Sequence, residues 1–230
     1  METPAKDTLI LATSNAGKTR EFSRLLAPLG LKILNLKDFP HLPEVEENGS
    51  TFLENARIKA EHACAGTGMP AVADDSGLEV EALGGLPGVR SARFSLPERA
   101  EGPEEARDKD EPWNSPACAA LSRDERNNAK ILALMEGLPR EKRRGRYVCA
   151  LAAVAPNGAH IAAQGFWEGF ILEEGRGKNG FGYDPLFFDP ELGRSAAEIS
   201  LRIKNARSHR AMALRQLLKN WPAFRIATGK

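Results

Sequence analysis

The feature that most constrains this chain is a pair of acidic residues directly after an apolar run. Pro70 to Ala73 is typical of a short buried strand, and Asp74 and Asp75 follow it at once. Two adjacent carboxylates beside a buried strand cost free energy unless something compensates their charge. A magnesium ion with oxygen ligands would do so, whereas a solvated turn would expose them. The pair alone leaves both interpretations open.

Two neighbouring features bear on the metal interpretation. Adjacent residues of an extended chain point to opposite sides, so we expect one aspartate to face a metal and the other to support it. Gly77 then permits a sharp bend. The acidic segment from Glu44 to Glu47 is a possible source of a second carboxylate, although acidic loop residues are more often simply solvated.

A second candidate site is the strand-to-helix turn from Thr13 to Lys18. Helix N-termini carry free N–H groups and a partial positive charge, and Lys18 adds a full charge, so the turn suits phosphate. Lys18 and Thr19 also match the end of a P-loop, but Ala12 stands where that motif needs glycine. The alternative is a capped helix with an exposed lysine.

Two segments in the last third of the chain suit a planar ligand. Two glycines bracket Phe181, which favours a loop whose ring stacks on a base, and Asp184 is placed to accept from a base N–H. After Lys204, the last predicted helix opens with His209, expected neutral there, and with Arg210, whose planar fork suits a carbonyl or phosphate oxygen. The alternatives are a turn with a buried phenylalanine and a serine-capped helix with exposed basic residues.

The order of the predicted elements indicates an α/β fold with a mixed sheet, because helices alternate with strands early and an Asn-Gly hairpin follows later. Thr51 to Glu54 forms a capping box. Residues 96–126, rich in proline and mixed charge, are predicted to be an exposed insertion in a single domain spanning 1–230. The predicted strands are 8–13, 31–36, 70–73, 147–155 and 160–172, and the predicted helices are 20–29, 55–65, 127–138 and 208–221.

Composition narrows the class of protein. A net charge of +1 over 230 residues gives no overall attraction to nucleic acid or anionic lipid. The longest N-terminal apolar run, Leu9 to Ala12, is too short for a signal peptide or a membrane span, so we expect a soluble, cytoplasmic protein. Three cysteines far apart, without a CxxC, disfavour a disulfide framework and a thiolate zinc site.

Taken together, these motifs resemble the inosine triphosphate pyrophosphatase family. The matching stretches are LATSNAGK at 11–18, EENGSTFLENARIKA at 46–60, ADDSGLEVEALGGLPGVRSARF at 73–94, GFGYDPLF at 180–187 and KNARSHRAMAL at 204–214. The resemblance implies two lobes around a long twisted mixed β-sheet with flanking helices, an active site in the cleft between the lobes, and a homodimer. It implies hydrolysis of a purine triphosphate with a 6-oxo group (ITP, dITP or XTP) to the monophosphate and pyrophosphate.

The resemblance also implies a role for each motif residue. Asp75 would be the proton acceptor and a ligand of one magnesium ion per subunit, supported by Asp74. Glu46 would be the second metal ligand, with Glu47 as a possible substitute. The triphosphate would contact Thr13, Ser14, Asn15, Ala16, Gly17 and Lys18, with Ser76 also on the substrate and Lys59 near the phosphates. The base would stack on Phe181 in a pocket formed with Gly182, Tyr183 and Asp184, and its oxygens would be read by Lys204, His209 and Arg210.

Three alternatives remain at this point. A related pyrophosphatase would act on modified pyrimidine or methylated nucleotides and give the same products. A catalytically silent protein would bind nucleotide without turnover, which the intact carboxylates disfavour. A P-loop kinase would transfer phosphate to an acceptor, which Ala12 disfavours.

Overall fold

The computed structural model describes residues 8–13, 15–27, 30–96 and 120–227. Its strands are β1 (Thr8–Leu11), β2 (Lys32–Asn35), β3 (Ala71–Val80), β4 (Arg144–Val154), β5 (His160–Ile171), β6 (Phe187–Asp189) and β7 (Arg194–Ser195). Its α-helices are α1 (Ala16–Leu26), α2 (Phe52–Thr67), α3 (Arg123–Leu134), α4 (Leu201–Arg207), α5 (His209–Lys219) and α6 (Trp221–Ala227). Within these residues, no helix is long and apolar enough to cross a membrane.

The strands form one mixed sheet. Its seven strands lie in the order β2-β1-β3-β4-β5-β6-β7. Strand β1 pairs in parallel with β2 and β3, whereas β6 pairs antiparallel with β5 and β7. Parallel pairing in the first half and antiparallel pairing in the second confirm the predicted α/β class with a mixed sheet.

Local capping residues fix where the helices begin. The Thr51 side chain accepts from the Glu54 amide, and the Glu54 carboxylate accepts from the Thr51 amide, which confirms the predicted capping box of α2. Ser122 and Glu125 form a second capping box at α3. The predicted helix start at 127 is therefore wrong, because residues 123–126 of the predicted insertion are helical. The rest of that predicted insertion, 97–119, lies outside the described residues.

Three other boundaries differ from the sequence prediction. Helix α1 begins at Ala16 because the Asn15 side chain caps it, not at Arg20. Strand β3 runs on through the acidic pair to Val80, so Gly77 is not a bend. Instead, a Cβ at Gly77 would lie 2.7 Å from the Gly88 carbonyl oxygen, so the close approach requires glycine. The last predicted helix, 208–221, corresponds to α5, whereas α4 and α6 were not predicted.

Contacts divide the chain into two compact units. The first covers Met1–Ser76, Val148–Trp167 and Asn205–Lys230, and the second covers Gly77–Tyr147 and Glu168–Lys204. Strands β3, β4 and β5 each contribute residues to both. The core of the first unit consists of Leu9, Leu11, Phe22, Leu26, Val72, Cys149, Leu151, Ala153, Ala155, Ala213, Leu214, Leu217, Trp221 and Phe224. The buried side chains of the second unit include Leu78, Val80, Phe94, Ile131, Met135, Tyr147, Tyr183, Leu186 and Phe187.

The close packing of β5 against α5 in the first unit gives a test of this fold. A Cβ at Gly165 would collide with the backbone of His209 and of Ala213. We therefore expect Gly165→Ala to lower the free energy of unfolding by about 2 kcal/mol or more, measured by urea denaturation. The matched control is Gly175→Ala, because a Cβ there would lie 3.4 Å from Pro185 Cβ, an ordinary contact. Equal stabilities of the two variants would contradict this packing.

Candidate active site

The two aspartates of β3 have separate sets of partners. Asp74 and Asp75 are 1% and 7% exposed. Asp74 Oδ2 pairs with Lys18 Nζ at 2.8 Å and accepts from Ser76 Oγ at 3.1 Å, two residues further along the same face. Asp75 instead accepts from Asn55 Nδ2 at 3.2 Å and from Lys59 Nζ at 3.3 Å. The turn interpretation of this pair is therefore wrong, because both carboxylates are buried and compensated within a strand.

Asp74 is held by a buried network of charges. Arg210 Nη2 donates to Ser76 Oγ at 3.0 Å, and its Nε lies 3.9 Å from Asp74 Oδ2. Arg210 Nη1 donates to Glu21 Oε2 at 2.7 Å. Burial by itself raises the pKa of Asp74, but the charges of Lys18, Arg210 and Lys59 outweigh it and hold this pKa below its ordinary value. Asp74 is thus a fixed, ionised group.

Glu21 is a member of this network that the sequence did not indicate. It lies on α1 one turn after Lys18 and is buried against Arg210. A single glutamate in an amphipathic helix gives no sign of such a role. Charge patterning shows only that it lies one turn from Lys18, and its actual partner is 189 residues away.

Asp75 has a different electrostatic environment. Lys59 Nζ lies between two carboxylates, 2.8 Å from Glu47 Oε2 and 3.3 Å from Asp75 Oδ1. Burial raises the pKa of Asp75, Lys59 and Lys18 lower it, and Glu47 and Asp74 raise it again, so that the net shift is upward. For Lys59, burial lowers the pKa, but the surrounding carboxylates outweigh it and raise this pKa. Asp75 is therefore the carboxylate better suited to accept a proton.

The turn before α1 is both a cap and a source of positive charge. Asn15 Oδ1 accepts from the amides of Gly17 at 2.8 Å and Lys18 at 3.1 Å, and Thr13 Oγ1 accepts from the Asn15 amide at 3.3 Å. The capped-helix alternative is thus confirmed for the backbone. The Lys18 side chain is directed to Asp74 and is largely buried, so it is not an exposed surface lysine. Ser14 lies outside the described residues, as does the side chain of Ala16.

The Phe181 loop lies in the second unit and is held by Asp184. Asp184 Oδ2 accepts from Lys204 Nζ at 2.6 Å and from the Phe181 amide at 2.9 Å, and its Oδ1 accepts from Tyr147 Oη at 3.2 Å. Both carboxylate oxygens of Asp184 therefore bind protein groups, so its structural role is to shape the loop. Lys204 Nζ also lies 4.9 Å from the centroid of the half-buried Phe181 ring.

The three residues predicted to read the base have different surroundings. Lys204 contacts Phe181 and Asp184 in the second unit. Arg210 contacts Glu21, Ser76 and Asp74 in the first unit. His209 is buried at the start of α5, behind the Ser208 cap that was considered as an alternative. Within the second unit, Lys204 contacts the predicted stacking ring.

The side chains around Asp75 supply part of the ligand set that a magnesium ion needs, and phosphate oxygens and water would supply the rest. Among the described residues, no group of three or more His, Cys, Asp or Glu side chains is arranged to hold a metal. Asp75 and Glu47 do share one cation, the Lys59 ammonium, and the buried Asp74 Oδ1 accepts from no donor in the part of the chain that the structure describes. Glu46 is exposed. Because Mg²⁺ is usually held by one or two carboxylates together with phosphate oxygens and water, this donor set fits it.

Comparison with known proteins identifies the family of this chain. The model of the Ham1 family matches residues 9–220. The chain belongs to the Ham1 family. A dITP/XTP pyrophosphatase from Nitratidesulfovibrio vulgaris is 49% identical over 219 residues, which cover 95% of this chain and 98% of that relative. This result confirms the resemblance drawn from the motifs.

Other Ham1 relatives support the same assignment. A dITP/XTP pyrophosphatase from Streptococcus agalactiae is 45% identical over 221 residues, or 96% of this chain, which spans 61% of that longer protein. The solved structure of a HAM1 protein from Coxiella burnetii superimposes with a TM-score of 0.75 at 38% identity, covering 94% of this chain and 98% of that one. The structure of a nucleoside-triphosphatase / dITP/XTP pyrophosphatase from Mycobacterium abscessus gives 0.67, also at 38% identity, covering 92% and 98%.

The opposite pKa shifts of the two aspartates predict opposite effects on stability. In metal-free protein at neutral pH, we expect Asp74→Asn to lower the free energy of unfolding by about 3 kcal/mol, because it leaves buried cations uncompensated. We expect Asp75→Asn to raise it by about 1 kcal/mol, because the ionised form is the disfavoured one. Chemical denaturation in EDTA measures both.

The pH dependence provides the control for this prediction. A lowered pKa means that the contribution of Asp74 is present at neutral pH and is lost as the pH falls through its folded-state pKa. A raised pKa means that Asp75 costs stability above its folded-state pKa, and this cost disappears in acid. Both variants should therefore approach the wild type as the pH falls. Destabilisation by both variants at neutral pH would refute the assignment.

Proposed function

We propose that this chain hydrolyses the non-standard purine nucleoside triphosphates ITP, dITP and XTP to the nucleoside monophosphate and pyrophosphate. The observation that carries the proposal is the cluster in which Lys18 pairs with Asp74 while Lys59 lies between Asp75 and Glu47. Such a cluster offers a proton acceptor beside two cations. The names of the pyrophosphatase relatives support the substrate class.

The proposed reaction uses these groups in one displacement. A water molecule attacks the α-phosphorus, and Asp75 accepts its proton as the new O–P bond forms. The bond between the α-phosphorus and the bridging oxygen breaks, and pyrophosphate leaves with the electron pair. Lys18 and Lys59 stabilise the negative charge on the phosphate oxygens. One magnesium ion per subunit, held by Asp75 and a carboxylate of the Glu44–Glu47 segment, would neutralise further phosphate charge when bound.

Selection of the base is proposed to rest on the Phe181 loop. The ring of Phe181 offers a stacking surface, and the Lys204 ammonium, 4.9 Å from the ring centroid, is the proposed donor to a 6-oxo oxygen. ATP carries a 6-amino group, which would leave a buried donor unpaired, so adenine is disfavoured. The argument concerns the 6-position alone, because GTP also has a 6-oxo group. Base reading by His209 and Arg210, a homodimer and a cytoplasmic location stay predictions.

The activity is tested with ITP, XTP, GTP and ATP, with product identification by ion chromatography. We expect ITP to give IMP and pyrophosphate, with kcat/KM about 100-fold or more above that for ATP. In H₂¹⁸O, the label should enter IMP, because attack is at the α-phosphorus. Asp75→Asn should lower kcat by about 100-fold or more, since it removes the proton acceptor.

The matched control is Asp38→Asn, an exposed aspartate that caps a short 3-10 helix at Leu36–Asp38. It should retain wild-type kcat. Orthophosphate without pyrophosphate, or ¹⁸O in pyrophosphate, would overturn the proposed reaction. Binding of ITP without turnover would identify a silent nucleotide-binding protein, and turnover of modified pyrimidine or methylated nucleotides alone would identify the related class of pyrophosphatase.

The second metal ligand is tested by comparing two adjacent glutamates. The resemblance assigns Glu46, but Glu47 is the one that shares Lys59 with Asp75. We therefore expect Glu47→Gln to weaken Mg²⁺ binding about tenfold or more by isothermal titration calorimetry, and Glu46→Gln to leave it within about twofold. The opposite ranking would assign the ligand to Glu46. Equal, wild-type affinities would exclude both residues.

A further inference from the structure

The residue after Phe181 is held from both sides by the first turns of α3. The Gly182 amide donates to Asp124 Oδ2 at 2.7 Å, and Asn128 Nδ2 donates to the Gly182 carbonyl at 3.1 Å. Asp124 and Asn128 are four residues apart and therefore lie on the same face of the helix. One helix face thus binds both polar groups of the Gly182 backbone.

The helix that makes these bonds is itself firmly placed within the second unit. Asn127 is buried, with Oδ1 accepting from the Ser95 amide at 2.7 Å and Nδ2 donating to the Ser91 carbonyl at 3.2 Å. Tyr183 Oη donates to that same Ser91 carbonyl at 2.8 Å. The helix and the loop therefore share an anchor, and Asp124 and Asn128 project from a fixed support.

The loop needs such a support because of its glycines. Gly180 and Gly182 flank Phe181 and have φ values of +81° and +63°, in the left-handed region that glycine adopts without strain. Glycine also loses the most conformational freedom on ordering, so flanking glycines leave the position of the ring weakly determined by local sequence. Asp184 fixes the amide of Phe181 on one side, and α3 fixes Gly182 on the other.

We propose that Asp124 and Asn128 are positioning residues that hold Phe181 in place for the purine base. The inference rests on the proposed function, because it concerns the same base-binding loop. Asp124 makes the stronger of the two hydrogen bonds to Gly182, because a carboxylate that accepts from an amide forms a charge-assisted hydrogen bond. Loss of Asp124 releases the ring and weakens binding of the base. The residues proposed to bind the phosphate groups, and the proton acceptor Asp75, are not part of this contact.

The experiment compares Asp124→Ala with Glu125→Ala. Both remove an acidic residue from the first turn of α3, but the Glu125 carboxylate accepts from the Ser122 amide, and no hydrogen bond joins it to the Phe181 loop within the described residues. We expect Asp124→Ala to raise KM for ITP about tenfold and to leave kcat within about twofold of the wild type. The increase in KM corresponds to the loss of one charge-assisted hydrogen bond. Asn128→Ala should raise KM less. Glu125→Ala should lower the melting temperature but leave KM unchanged.

A ligand without a base separates positioning from general damage. Tripolyphosphate has no base to stack on Phe181, so we expect its inhibition constant to be the same for the wild type and Asp124→Ala. Asp124→Asn keeps an oxygen acceptor without the charge and should restore part of the lost affinity for ITP. Circular dichroism and melting temperatures identify any variant that fails to fold. If Asp124→Ala does not fold, the KM of Asp124→Asn for ITP tests the inference instead.

Three outcomes would overturn the inference. The first is a wild-type KM in Asp124→Ala and Asp124→Asn. The second is an equal increase in KM for ITP and in the inhibition constant of tripolyphosphate. The third is an increase in KM for ITP in Glu125→Ala as large as in Asp124→Ala, which would show an effect of helix stability alone. A wild-type protein that does not release pyrophosphate from ITP overturns the proposed function as well, and this result is distinguishable because it precedes any comparison of variants.

Discussion

Charge compensation of two adjacent buried aspartates is the interaction on which the first unit depends. Three different helices each contribute one cation to β3: Lys18 comes from α1, Lys59 from α2 and Arg210 from α5. Burial of Asp74 and Asp75 is tolerable only if all three helices lie where they do. With Glu21 and Glu47 included, the cluster contains three cations and four carboxylates. The surplus negative charge lies on the side of Asp75 and Glu47, where Lys59 serves two carboxylates at once.

A cluster of this kind stabilises a fold poorly for the number of groups that it uses. Buried ion pairs often do no better than apolar residues of the same volume, because desolvation offsets the Coulomb attraction. The two aspartates divide this cost unequally. The charges of Lys18 and Arg210 hold the pKa of Asp74 below its ordinary value, whereas burial raises the pKa of Asp75 above its ordinary value. The ionised form of Asp74 is stabilised and that of Asp75 is disfavoured. This difference is consistent with separate roles, in which Asp74 positions the cations and Asp75 is the proposed proton acceptor.

The sequence predicts the parts of this structure that depend on neighbouring residues. The capping box of Thr51 and Glu54 and the Asn157-Gly158 hairpin are set by residues a few positions apart, and both were found where predicted. Glu21 and Arg210 are 189 residues apart, and no local pattern joins them. The acidic pair resembles a turn in sequence because its compensation comes from distant helices. The motifs and their family resemblance indicated the substrate class, but they did not indicate that α3 supports the Phe181 loop.

The partners of the two lysines explain why metal and triphosphate should bind together in the proposed reaction. In the structure, Lys18 is paired with Asp74 and Lys59 with Asp75 and Glu47. Phosphate oxygens that recruit these ammonium groups draw them away from carboxylates that remain buried. A divalent cation at Asp75 would replace the charge that Lys59 gives up, so each ligand lowers the cost of binding the other. Such coupling is necessarily reciprocal, because the free energy of the doubly bound state does not depend on the order of binding.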